Sequence, residues 1–255
     1  MRVLVVLPTF NEAATIENIL DRIRKALPDA SILVVDDNSP DGTAKIAAEV
    51  GERFGSVDVL SRPGKLGLGS AYRDGFRWGL ERGYEAMVEM DSDFSHDPDA
   101  LPTVVAPLGQ GHEVCIGSRY VPGGSIPNWS LPRRLLSRGG NIYADLVLGL
   151  GVRDSTAGFR AYAATVLRRI DLGSVRAESY GFQIEMTYRA IGVGAKVTEV
   201  PIRFVDRELG TSKMSTYTVV EALVLVTWWG MKRVAGRLRG GGRMARAATR
   251  SRSAQ

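Results

Sequence analysis

Cysteine and histidine are nearly missing from this sequence: one cysteine, Cys115, and two histidines, His96 and His112, among 255 residues. A single thiol excludes an internal disulfide and a thiolate metal cluster, and fits a reducing compartment. Two histidines are too few for a His-rich zinc centre. Long apolar runs are missing as well. Residues 1–7 are mostly apolar, but Pro8 stops the run and no small-residue cleavage site follows. They read as a buried first strand and not as a signal peptide. No segment approaches the roughly 20 apolar residues of a transmembrane helix. Acidic residues stop at Glu221, while Lys232, Arg233, Arg237, Arg239, Arg243, Arg246, Arg250 and Arg252 follow. A basic end of this kind can serve nucleic acid, anionic lipid, or nothing specific. Here it lacks interleaved aromatics, so no nucleic-acid partner is expected.

What is present is the composition of a globular protein, 44% hydrophobic and 24% charged, which excludes global disorder. Short apolar runs at 2–7, 31–35, 57–60 and 86–90 alternate with helical patterns. The first helix should start near Glu12, with Ile16, Ile19, Leu20 and Ile23 at helical spacing. A second follows the turn 38–42, and a third runs from the glycine-rich loop 63–69 to about Arg82. This alternation predicts an α/β fold, a mostly parallel sheet with helices on both faces. The second half predicts strands at 114–117 and 196–205, a mobile loop at 121–132, helices at 134–150, 179–191 and 216–231, and a return to the core at 156–162. The expected division is a catalytic domain over 1–215, an apolar interfacial helix over 216–239 and a disordered basic tail over 240–255.

Ligands of open α/β sheets bind beyond the carboxyl ends of the strands. Three polar clusters fall at that edge: 8–12, 36–41 and Asp91-Ser92-Asp93. Two carboxylates one residue apart can clamp a divalent cation, and hard oxygen donors beside a phosphate suit Mg²⁺ or Mn²⁺. The strand-end carboxylates would also repel a nucleic-acid backbone. Pro8, Phe10, Glu12 and Asp37 are placed to face a nucleotide's base and ribose, and Lys65 with the glycines of 63–69 could approach its phosphates.

These clusters belong to an ordered series: Pro8-Thr9-Phe10-Asn11-Glu12, Val35-Asp36-Asp37-Asn38-Ser39, Asp91-Ser92-Asp93, Gly117-Ser118-Arg119-Tyr120, Thr156-Ala157-Gly158-Phe159-Arg160, Gln183-Ile184-Glu185 and the segment 207–213. The series resembles the family-2 inverting glycosyltransferases of GT-A fold, and among them the polyprenyl-phosphate (dolichyl-phosphate) mannose synthases, from about residue 3 to 215. The resemblance implies transfer of mannose from GDP-mannose to a polyprenyl monophosphate. Asp91 and Asp93 would then hold the metal, with Ser95 where the family often has a stronger ligand. Ser92, Gln183, Glu185, Arg207 and Lys213 would serve the nucleotide sugar, with Ser212 beside them. Arg119, Arg133 and Ser137 would bind the acceptor phosphate, leaving Asp93, Arg119 and Arg133 as the catalytic set. A phosphate monoester is already an anion at neutral pH and needs cations, not the carboxylate base that a hydroxyl acceptor requires.

A lipid acceptor implies contact with a membrane surface, and Trp228-Trp229 with the basic residues beyond suits the interface. The expected place is peripheral, at the cytoplasmic face of the cell membrane, alone or with a separate membrane-anchoring subunit. Transfer of glucose from UDP-glucose is the near alternative. A sugar nucleotidyltransferase is the remote one, since 8–12 lacks a glycine-rich triphosphate loop.

Overall fold

The computed structural model describes residues 1–206 and 219–235. Strands β1 (Val3–Thr9), β2 (Ser31–Asp36), β3 (Val57–Ser61), β4 (Ala86–Glu89), β5 (Val114–Ser118), β6 (Arg160–Ala163) and β7 (Val197–Pro201) form one sheet, ordered β3-β2-β1-β4-β6-β5-β7. All pairings are parallel except those of β6, which runs against both β4 and β5. The mostly parallel sheet expected from the alternation is therefore present.

Helices α1 (Ile16–Ala26), α2 (Thr43–Phe54), α3 (Leu68–Glu81), α4 (Leu101–Val105), α5 (Leu131–Leu148), α6 (Ala164–Arg169), α7 (Ser179–Gly192) and α8 (219–235) flank it. Alternate strand residues point to opposite faces, which divides the core in two. Leu4, Val6, Leu33 and Val35 pack with Tyr72 and Phe76 of α3, Ala144 of α5, Phe182 of α7 and Val226 of α8. Val5, Leu7, Ile32 and Val34 pack with Ile16, Ile19, Leu20 and Ile23 of α1, Val50 of α2 and Leu101 of α4. Strands covered on both faces need no polar alternation, so β1 and β2 read as continuous apolar runs. Cys115 is buried in β5, a small apolar residue with its thiol pushed up to about 12 by that burial.

Three boundaries differ from the sequence pattern for local reasons. The first helix begins at Ile16 because the amides of Thr15 and Ile16 both donate to the Glu12 carbonyl, closing a turn first. Helix α5 begins at Leu131, three residues early, with proline in its first turn, where no backbone donor is needed. Strand β7 stops at Pro201, and the chain then makes single bridges from Arg203 to Ser125 and from Phe204 to His96. Those bridges draw the 121–130 segment and the turn after β4 toward one another. The chain steps outward from β1 to β2 and β3, then restarts at β4 on the other side of β1. That reversal opens a crevice at the carboxyl ends of β1 and β4. The expected tail, 240–255, lies outside the described residues, as do 216–218 and 236–239 of the expected interfacial helix.

Candidate active site

A cavity of about 570 Å³ lies at this crevice, and Pro8, Phe10, Glu12, Asp37, Lys65, Asp91, Ser92, Asp93, Ser95, Arg119, Arg133 and Gln183 all line it. Two expected site residues, Ser137 and Glu185, are placed elsewhere. Arg207, Ser212 and Lys213 lie outside the described residues.

At the β1 and β2 ends, Asp36 is structural. It accepts hydrogen bonds from Thr9 Oγ1 (2.8 Å) and from the amide and hydroxyl of Ser39 (2.8 and 2.6 Å). Asp37 faces the cavity and accepts from Arg62 Nε at 2.6 Å and from the Leu66 amide at 3.2 Å. Buried Arg62 also reaches the Gly67 carbonyl and Ser70, so one side chain fastens the 63–69 loop to the end of β2. Lys65 Nζ sits over the Phe10 ring, 4.3 Å from its centroid.

Of the 63–69 loop, Lys65 and Gly67 line the cavity, whereas the start of α3 is already engaged. The amides of Gly69 and Ser70 donate to Glu178 Oε2 at 2.6 and 3.2 Å, so an internal carboxylate already occupies the positive end of the helix. Gly69 is glycine for packing: an added Cβ would stand 2.7 Å from the Ala177 carbonyl oxygen and 3.0 Å from Phe182. Gly69→Ala is expected to destabilise the fold by about 1–3 kcal/mol, as overpacked cores do, measured by urea unfolding.

At the β4 end, Asp93 is buried and its Oδ1 accepts from the Ser95 amide at 3.0 Å. Phe94 between them lies in the left-handed region, φ 61°. An aromatic residue there is strained, and such strain gathers at functional turns. Tyr72 Oη donates to Asp91 Oδ1 at 3.4 Å. His96 Nδ1 accepts from the Asp91 amide at 3.1 Å, and its ring stacks on Phe159. Burial lowers the imidazole pKa, against the pull of Asp91 and Asp93, which keeps the ring neutral and its Nδ1 engaged. His96 thus braces the turn. Among the described residues no group of three or more His, Cys, Asp or Glu is arranged to hold a metal. The donor set on offer is two carboxylates with the Ser95 hydroxyl, whose Oγ is buried and makes no hydrogen bond. Hard oxygens of this kind fit Mg²⁺ or Mn²⁺ with water completing the shell.

The two arginines are held differently. Arg119 forks onto fully buried Asp154 through Nε (2.7 Å) and Nη2 (2.6 Å), and its own amide donates to the same carboxylate at 2.9 Å. Burial alone would raise the Asp154 carboxyl, yet the Arg119 guanidinium holds it below the usual carboxylate range. Arg133 lies over Trp129, its Cζ 3.9 Å from the ring centroid, and its Nη1 donates to Asp206 at 2.8 and 2.9 Å. Ser137 lines an adjoining apolar groove, and its hydroxyl accepts from Tyr120 Oη at 2.7 Å. Sequence reasoning gave no role to Asp154, Asp206 or Glu178. The first two carried a signal, because each stands within two residues of a motif the sequence displays.

Helix α7 presents Gln183 to the cavity with both amide atoms buried and unbonded. Glu185, expected near the sugar or the site arginines, instead faces α7 itself. It accepts from Arg189 Nε and Nη2 (2.8 and 2.6 Å) and from the amides of Arg176 and Ala177. The i,i+4 spacing of Glu185 and Arg189 explains this. Beneath Gln183, Arg160 is fully buried and donates to the carbonyls of Ser155, Ala157 and Gln183 and to Thr187, joining the 155–157 loop to α7. Glu89, also fully buried, packs beside Gln183 and Tyr162 without reaching hydrogen-bond geometry. Its burial, against the pull of Arg160, pushes the carboxyl from 4.5 up to about 8. The folded chain therefore holds a proton that the unfolded chain loses, so this group's contribution falls as pH rises from 4.5 toward 8. Glu89→Gln is expected to flatten the stability profile across that window, read by urea unfolding in chelated buffer.

The model of the family "Glycosyl transferase family 2" matches residues 4–171. An undecaprenyl-phosphate mannosyltransferase of Micrococcus luteus is 50% identical over 231 residues, covering 91% of this chain and 95% of its own. A polyprenol monophosphomannose synthase of Mycolicibacterium smegmatis is 48% identical over 240 residues, covering 94% and 91%. Among solved structures, glucosyl-3-phosphoglycerate synthase of Mycobacterium tuberculosis aligns with TM-score 0.64 at 22% identity, covering 88% of this chain and 78% of that one. The mannosyltransferase PcManGT of Pyrobaculum calidifontis, in complex with GDP-Man and Mn²⁺, aligns with TM-score 0.52 at 15% identity, covering 95% and 75%. The chain belongs to glycosyl transferase family 2 and is a glycosyltransferase.

Proposed function

We propose that the chain transfers mannose from GDP-mannose to a polyprenyl monophosphate, giving polyprenyl-phosphate β-mannose and GDP with inversion. One observation carries the reading: Arg119 and Arg133 line the cavity, while Glu185, the carboxylate of the Gln183-Ile184-Glu185 motif, lies outside it and is committed to Arg189. That suits an acceptor that is already an anion. The names of the two bacterial relatives, both polyprenyl-phosphate mannosyltransferases, support the lipid and the sugar.

In this reading Pro8, Phe10, Glu12 and Asp37 hold the nucleoside, and Lys65 lies over Phe10 near its phosphates. Asp91, Asp93 and Ser95 would hold Mg²⁺ or Mn²⁺, which when bound offsets the charge on a leaving diphosphate. Arg119 and Arg133 position the acceptor phosphate, since planar guanidinium forks match its oxygens. The buried amide of Gln183 offers one donor face and one acceptor to sugar hydroxyls. A phosphate oxygen then attacks C1, the C1–O bond to the β-phosphate breaks, and GDP leaves with the electron pair. No proton has to be removed from the nucleophile.

The acceptor's lipid places the chain at a membrane surface, and helices α5 and α8 suit that contact. Leu131, Leu135 and Leu146 of α5 and Val224, Trp228 and Met231 of α8 are exposed, and Lys232 Nζ sits 3.4 Å above Trp228. Tyr143 and Thr227 join the two helices at 2.8 Å. No helix among the described residues is long and apolar enough to cross a membrane. Contact at the cytoplasmic face, alone or beside an anchoring subunit, follows from this reading.

A donor-by-acceptor panel tests it. GDP release should require GDP-mannose, a polyprenyl phosphate and Mg²⁺ or Mn²⁺ together, and chelation should stop it. A saturable preference for UDP-glucose would replace mannose by glucose in this account.

A further inference from the structure

Resting on that reading, we infer that Asp206 is a competing anion built into the acceptor site, an internal carboxylate that holds Arg133 until a phosphate displaces it. It weakens every phosphate by the same factor, and a lipid phosphate meets that cost with contacts of its apolar chain. Arg119 and Arg133 each have a carboxylate partner, but the partners differ in kind. Asp154 is fully buried, takes two guanidinium nitrogens as a fork, and does not line the cavity. That pairing is permanent architecture.

Asp206 lines the cavity, its side chain is 37% exposed, and both of its bonds to Arg133 come from the single nitrogen Nη1. Its Oδ1 also accepts from Trp129 Nε1 at 3.0 Å, on the indole over which the Arg133 guanidinium lies. Arg133 Nε, meanwhile, is buried and unbonded. Its guanidinium fork is therefore unfilled, and a phosphate offers the geometry that fills such a fork.

A phosphate dianion cannot enter beside Arg133 while Asp206 stays, because the two anions would repel across a few ångströms. Displacing a half-exposed carboxylate from one nitrogen is a small cost, and it is the same for every phosphate. Inorganic phosphate has only the arginines to set against it. A polyprenyl phosphate adds contact with the apolar groove lined by Leu136, Tyr143, Ile184, Leu223 and Val226, which shares Thr156 and Tyr180 with the cavity. The shared cost divides both affinities by the same factor; it empties the site of a weak ligand without a chain, while a lipid phosphate bound well above its dissociation constant still fills it.

The indole of Trp129 reports the contact directly. The full chain has four tryptophans, and Trp129→Phe identifies the Trp129 indole N–H in a ¹H–¹⁵N spectrum. Inorganic phosphate titrated into the wild type should shift that resonance as Asp206 leaves, and Arg133→Ala should abolish the shift. In Asp206→Asn and Asp206→Ala the resonance should start displaced, and phosphate should bind up to about fivefold more tightly, the worth of one exposed ion pair. Phosphate that leaves the wild-type indole unmoved, or that binds both variants no tighter than wild type, overturns the inference. The titration needs no turnover. A wild type that binds phosphate this way yet fails to glycosylate any polyprenyl phosphate would sink the functional reading and leave Asp206 standing.

Discussion

Asp93→Ala is expected to lower kcat/KM by about 10³-fold, the scale of losing several kcal/mol of charge stabilisation at a leaving diphosphate. The side chain is buried at the cavity wall and does two things. It offers a hard oxygen beside Asp91, and it accepts the Ser95 amide across the strained turn at Phe94. Asp93→Asn separates these, because the amide oxygen still accepts from Ser95 while the charge is gone. Both variants should be nearly inactive. The Asn variant should unfold at close to the wild-type urea concentration, whereas the Ala variant should lose about 0.5–1.5 kcal/mol with the turn bond. Turnover by Asp93→Ala within a few-fold of wild type would remove the metal assignment from this account.

Asp154→Ala carries the largest expected effect on the fold. Arg119 is 5% exposed, and three of its donors converge on a carboxylate with no exposure at all. Removing one member of a buried pair strands the other charge, which costs about 3–5 kcal/mol. Against a typical stability of about 5–15 kcal/mol this leaves a chain near its threshold. The remaining Arg119 contact to Thr156 (2.7 Å) is a neutral hydroxyl and cannot offset the lost charge. Urea unfolding measures the loss, and a value under about 1 kcal/mol would show that Arg119 finds water or another partner. For the same reason Arg119→Ala confounds catalysis with stability, and Arg119→Lys, which keeps the charge and loses the fork, reports the acceptor contact more cleanly.

How much of this could be read from residues alone divides along a physical line. The ends of β1, β2 and β4 were legible because covered parallel strands read as apolar runs and the polar residues that stop them stand out. Asp37, Asp91, Asp93 and the two arginines follow from those ends and from the motif series. Pairings between distant segments were not legible. Glu178 meets Gly69 from 109 positions away, and nothing local to either residue announces it. The reversed direction of β6 was equally hidden, since four residues carry no directional signal and their partners β4 and β5 set the pairing. Glu89 stands inside the apolar run 86–90, and its burial emerges only when α7 and Arg160 close beneath it. Glu185 is the instructive case in the other direction. Its i,i+4 partner Arg189 was visible in the sequence, and the motif resemblance drew it toward the sugar instead.

In the proposed transfer a phosphate oxygen, not a hydroxyl, forms the new bond to the sugar. One isotope measurement follows that oxygen. Polyprenyl phosphate labelled with ¹⁸O in its terminal phosphate oxygens is incubated with unlabelled GDP-mannose and Mg²⁺, and both products are read by mass spectrometry and ³¹P NMR. The account expects ¹⁸O in the oxygen that joins C1 of mannose to phosphorus, with GDP free of label. An unlabelled bridging oxygen, or ¹⁸O in the released nucleotide, would contradict it.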